Sequence, residues 1–346
     1  MELTKKVFGQ FKNKDVYEYT LTNEAGIAIS AIPFGATLTK LVTPDKKGKR
    51  ENITLNVESL EDFVRHRPFY GATIGRVAGR ITKGKFSIDG KEYQVDINEG
   101  DNMLHGGPKG LDTKLWTIEV DESAGQLVFT YESKAGENGF PGTMQIKVTY
   151  TLTEGNDWVI DYEATTDEAT LFNPTNHVYF NLTGDIKQPI LDHQLELASS
   201  QYIPLAEENL PSEEKASVEG TPFDFQTAKP LKEAVLSDHE QIKQLAGLDH
   251  PFVLDKAQDQ KGVLYEPESG REVSVYTDRN SAVVFTHNGE VDDYLIEGEP
   301  AKQYAGITLE TQTLPDAINK EGFGDIILRP GETFRSRTTY HFGTRD

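Results

Sequence analysis

The sequence predicts an all-β fold, a β-sandwich or barrel, from three observations. Runs with period-two alternation recur from end to end, turn dipeptides separate them, and helical signals are few and short. No Pro/Gly/Ser-rich linker divides the chain and no fixed-period repeat occurs. Residues 1–346 therefore read as one large β domain.

"SLEDFVRH" (59–66) is the first helical signal, with Ser59 as capping residue and acidic residues in the first turn. "KFSIDGKEYQV" (85–95) places Asp89-Gly90 between β-prone runs, which predicts a hairpin. In "MQIKVTYTLT" (144–153), Ile146, Val148, Tyr150 and Leu152 share one face. "NDWVIDYEAT", "REVSVYTD", "SAVVFTHN" and "ETFRSRTTYHF" continue the pattern, while 205–245 is acidic, poorly patterned and expected to be an irregular surface excursion. Within it, "PLKEAVLSDHEQIKQLAG" (230–247) can hold one or two helical turns, with proline allowed in the first turn.

"NPTNHVYFNL" (173–182) is the unusual strand. Alternation sends Val178, Phe180 and Leu182 to one face and His177, Tyr179 and Asn181 to the other. An imidazole, a phenol and a carboxamide can all bond a hydroxylated ligand, although a core histidine satisfied by its neighbours would read the same way.

Composition narrows the function classes. The formal net charge of −21 and the lack of a basic cluster argue against nucleic acid and anionic membrane partners. There is no cysteine, which excludes disulfides, thiolate catalysis and cysteine-ligated metals. "MELTKKVFGQ" lacks the apolar run of a signal peptide, and no stretch is long and apolar enough for a transmembrane helix. A cytoplasmic enzyme or binding protein is the expectation.

Four more stretches carry polar groups where neither a core nor a plain surface needs them. "GATIGRVAGRITKG" (71–84) spaces Arg76 and Arg80 four apart and lacks the Gly-Lys-Ser/Thr ending of a phosphate loop. "NMLHGGPKG" (102–110) sets His105 on a glycine turn. "GLDHPFVL" (247–254) puts Asp249 at a strand entry. "GITLETQTLPDAIN" (306–319) turns Thr308, Glu310 and Gln312 to one face. Each also has a plain structural reading: an ion-paired arginine, a turn histidine, a capping aspartate, a solvated glutamate.

"LHGG", "NPTNHVYFNL", "GLDHPF" and "GITLETQ", in this order and spacing, resemble the galactose mutarotase (aldose 1-epimerase) family over about 71–312. The resemblance implies a large antiparallel β-sandwich with a cleft, no cofactor and no metal. It implies a monosaccharide substrate such as galactose or glucose, and a monomer or weak homodimer. Glu310 would be the general base at the C1 hydroxyl and His177 the general acid at the ring oxygen. Arg80, His105 and Asp249 would bind the sugar, while Arg76 would be structural. Gly79, where many members carry asparagine, and "FTHNGEVDDY" (285–294) with His287 depart from the family pattern.

Chemistry supports the pairing, since ring opening needs one proton removed and another supplied at oxygens on one acetal carbon. The rival readings are a hexose-6-phosphate 1-epimerase, which would need cleft cations, and a non-catalytic carbohydrate-binding sandwich, which would need no acid–base pair. A glycosidase would use two opposed carboxylates. A metal site is disfavoured by the scattered histidines.

Overall fold

The computed structural model describes residues 1–346, apart from the Asp292 side chain. Three antiparallel sheets carry the architecture. A five-stranded meander runs through Glu2–Phe11, Lys14–Thr22, Ala28–Ile32, Thr37–Pro44 and Arg50–Asn52. A nine-stranded sheet is centred on Asp157–Thr166, Phe334–Thr344 and Arg271–Thr277, which pair in that order. A six-stranded sheet pairs Tyr179–Phe180, Ile307–Gln312, Ser281–Phe285 and Asp249–Val253, with Gln201–Tyr202 and Ala216–Ser217 beyond them. This is the expected large β-sandwich.

The inward faces of all three sheets meet in one apolar core. Leu38 and Leu41 come from the first sheet, Val148, Trp158 and Tyr340 from the second, Phe180, Ile307 and Leu309 from the third. Trp158 is fully buried, stacked on Tyr340 and edge-on to Tyr150, each at 5.3 Å between centroids. Such offset and T-shaped aromatic packing adds to plain area burial.

Local signals mostly become the elements they predict. Ser59 caps Leu60–His66 by accepting from the Asp62 N–H at 3.1 Å. Asp89 and Gly90 both take positive φ, the twist that a tight hairpin between Lys85–Ile88 and Lys91–Gln94 requires. Ile146, Val148, Tyr150 and Leu152 are all buried.

Two readings change. Residues 173–182 form two short bridges, Thr175–Asn176 and Tyr179–Phe180, rather than a continuous strand. The reason is that their backbone serves several neighbours: His177 N–H bonds Ala72 O and His177 O accepts from Gly71, each at 3.0 Å. The excursion at 205–245 holds the expected helical turns as Leu231–Val235 and Glu240–Leu245, and only the proline differs, Pro230 capping the first helix instead of opening its first turn.

Candidate active site

The six-stranded sheet has two unlike faces. Ile307, Leu309, Val284 and Phe252 enter the core, so the pleat turns Glu310, Gln312, Val283, Phe285 and Asp249 outward. These outward side chains floor a cleft of about 200 Å³. That is below the roughly 300–1,000 Å³ of pockets for drug-sized ligands, and suits a small one.

The cleft gathers all five residues the sequence singled out: Arg80, His105, His177, Asp249 and Glu310. It also takes in Phe69, Tyr179 and Gln312, and residues Leu205, Asn209 and Pro211 from the poorly patterned excursion, which supplies a wall. Asn181 belongs elsewhere. Its amide donates to Gln188 O and Ala305 O, tying down a loop, because the strand ends at Phe180. Arg76 is likewise remote from the cleft and buried among the carbonyls of Ser133, Lys134, Pro141 and Gly142.

Glu310, on Ile307–Gln312, and His177, in the segment between the two short bridges, are neighbours, with Oε1 and Nε2 3.4 Å apart. Both are at least nine-tenths buried, at 3% and 5% exposure. Thr308 Oγ1 donates to Oε1 of Glu310 at 3.3 Å, whereas Oε2 has no protein partner. Aromatic rings wall the imidazole: Tyr179 at 5.1 Å, His105 at 5.1 Å and Phe69 at 5.8 Å between centroids.

Burial sets the charge states. It pushes the Glu310 carboxyl up to about 8, reinforced by nearby Asp249, and drops the His177 imidazole to about 4. Near neutral pH the open cleft therefore holds one proton on this pair, resting on the carboxyl. Asp249 is raised to about 6, again by burial, with Arg80 opposing.

Local backbone conformation places the walls. Phe69 and His105 both have left-handed φ, uncommon for bulky residues and typical of sites held by their surroundings. Arg67 ends the first helix, packs over the Phe69 ring at 4.9 Å and pairs with buried Asp112. His105 N–H donates to Gly79 O at 3.0 Å, and Gly79 N–H donates back to His105 Nδ1 at 3.2 Å. A Cβ on Gly106 would lie 1.8 Å from Gly75 O, which explains the glycine after the histidine. Arg80 is held in a two-point bond to Glu99, Nε to Oε2 at 2.5 Å and Nη2 to Oε1 at 2.8 Å.

Donor atoms of His105, His177 and Glu310 lie within 4.8 Å of one another, a spacing a metal could use. The hydrogen bond behind His105 opposes that use. Ligating histidines donate their other N–H to an acceptor, whereas His105 Nδ1 accepts from Gly79. That bond puts the proton on Nε2 and makes His105 a donor toward the cleft.

Residues 17–341 match the family model described as aldose 1-epimerase. The chain belongs to the aldose 1-epimerase family. It is 37% identical to galactose mutarotase of Rattus norvegicus over 99% of both chains, and 35% identical to maltose epimerase of Levilactobacillus brevis over 99% of both. The crystal structure of galactose 1-epimerase from Lactobacillus acidophilus superposes with a TM-score of 0.88 at 33% identity, covering 100% of this chain and 99% of that one. Among the described residues, no helix of this family member is long and apolar enough to cross a membrane. His287, a departure from the family pattern, stands behind the cleft, where Nε2 meets the Tyr70 hydroxyl at 2.7 Å.

Proposed function

We propose that the protein is an aldose 1-epimerase interconverting the α and β anomers of free hexoses such as galactose and glucose. The observation that carries the proposal is the buried Glu310–His177 pair, 3.4 Å apart at the floor of a small cleft. Family membership supports it. So does the cleft lining, where Arg80 is the single lysine or arginine and is already paired with Glu99, an arrangement poorly suited to a sugar phosphate.

In this reading the sugar C1 hydroxyl donates to the free Oε2 of Glu310, which favours the carboxylate and sends the carboxyl proton to His177. Glu310 then takes the O1 proton while His177 gives its proton to the ring oxygen. The C1–O5 bond breaks, leaving an aldehyde at C1 and a hydroxyl at C5. Rotation about C1–C2 presents the other carbonyl face. O5 attacks C1 again, returning its proton to His177 as O1 recovers one from Glu310, so no atom is gained or lost. Neutral His105, donating through Nε2, Arg80 and Asp249 hold the ring hydroxyls. Positioned acid and base groups each contribute about 10²–10⁴-fold.

The same proposal has the chain acting as one domain in the cytoplasm, as a monomer or weak homodimer. Polarimetry of freshly dissolved α-D-galactose and α-D-glucose tests it. Faster equilibration than the blank, without release of nitrophenol from a nitrophenyl galactoside, is the expected result. A rate equal to the blank for both sugars overturns it.

A further inference from the structure

Gln312 stands two residues beyond Glu310 on the same face of its strand and lines the same cleft. It is 0% exposed, yet neither Oε1 nor Nε2 has a hydrogen-bond partner in the protein. Among the described residues it is the one side chain with both of its polar atoms so placed. A buried carboxamide with no partner on either atom is unfavourable and calls for a reason.

The strand gives the side chain little room to find partners elsewhere. Gln312 O accepts from Ser281 Oγ at 2.7 Å, and the next amide, Thr313 N–H, bonds Asn173 Oδ1 at 2.9 Å. On its flank lie Gly79 and Pro315; a Cβ on Gly79 would sit 3.6 Å from Oε1 and 2.9 Å from Pro315. Gly79 in turn bonds His105, so the carboxamide lies between the acid–base pair and the wall that carries Arg80 and His105. A packing role would suit an apolar residue of this size better, since the neighbours offer no bond.

We infer that Gln312 reads a ring hydroxyl of the substrate, accepting its O–H at Oε1 and donating Nε2–H to that hydroxyl or its neighbour. The inference rests on the aldose epimerase reading and adds a specificity-determining residue to it. A site built to bond a hydroxyl discriminates strongly against the analogue lacking it, because its own buried groups are then left unpaired.

The test uses Gln312→Met, which keeps the volume and removes both polar atoms, with Gln312→Asn as a second variant that keeps the carboxamide but draws it back by one methylene. Anomer exchange is measured on galactose and its 2-, 3-, 4- and 6-deoxy forms, after wild-type activity on galactose is established. A wild type without activity sinks the underlying reading, not this assignment alone. The expected result is a KM for galactose raised roughly tenfold in Gln312→Met at little-changed kcat. The penalty should vanish for at least one deoxy sugar, and Gln312→Asn should fall between. Unchanged KM, or an equal penalty on every sugar, overturns the inference.

Discussion

The Glu310 carboxyl and the His177 imidazole meet at 3.4 Å with their proton affinities displaced in opposite directions. The ordinary order, carboxylate below imidazole, is inverted by burial. Between about 4 and about 8 the carboxyl keeps its proton while the imidazole stays neutral.

The first consequence is a pH profile. Below about 4 both groups are protonated and no base remains; above about 8 both are deprotonated and no acid remains. kcat/KM for galactose should be bell-shaped, with limbs near those values. Limbs at the ordinary carboxylate and imidazole values would contradict the inverted order.

A second prediction concerns stability. The folded-state value of Glu310 is raised, so its contribution is full below the unfolded value of 4.5 and is lost as pH rises through about 8. Removing the titration with Glu310→Gln should raise the melting temperature relative to wild type, with a gap that widens from pH 5 to pH 8. The slope can reach about 1.4 kcal/mol per pH unit. A gap independent of pH would contradict it.

Much of this site is legible in the sequence, and the reasons differ by residue. Glu310 sits on a regular strand, where alternation alone assigns its face. His177 was correctly turned to the cleft although its strand is broken, because the apolar Val178, Phe180 and Leu182 still seek the core. The same alternation failed at Asn181, since a period of two holds only while the chain stays extended. Phe69, Glu99 and the wall residues Leu205, Asn209 and Pro211 were not found. Phe69 comes to the cleft on left-handed backbone and Leu205, Asn209 and Pro211 on an irregular segment, while Glu99 acts through a single ion pair to Arg80; none of these leaves a periodic trace.

Arg76 shows a cation used for architecture. It is 2% exposed and donates six hydrogen bonds, to Ser133 Oγ and O, Lys134 O, Pro141 O, Gly142 O and Thr170 Oγ1. Arg76→Ala should cost roughly 3–5 kcal/mol by denaturant unfolding, since several buried carbonyls lose their donor at once. Arg76→Lys should recover only part of that, a point charge being unable to span the set. An Arg76→Ala protein of wild-type stability would contradict this role.

Glu99 acts on the cleft through Arg80. Replacing it with Gln weakens the two-point bond and frees the guanidinium to take other rotamers. Glu99→Gln should raise KM for galactose about three- to tenfold at nearly constant kcat, the signature of lost binding rather than lost chemistry. A fall in kcat with unchanged KM would place Glu99 in the chemical step instead.

Proton transfer by Glu310 is tested most directly by polarimetry of freshly dissolved α-D-galactose at pH 7, with wild type beside Glu310→Gln. The near-isosteric change keeps the cleft's shape and removes the proton acceptor. Wild type should equilibrate the sugar rapidly, and the variant should be slower by about 10²–10⁴-fold. Equal rates for the two proteins would contradict the claim that Glu310 and His177 move the protons.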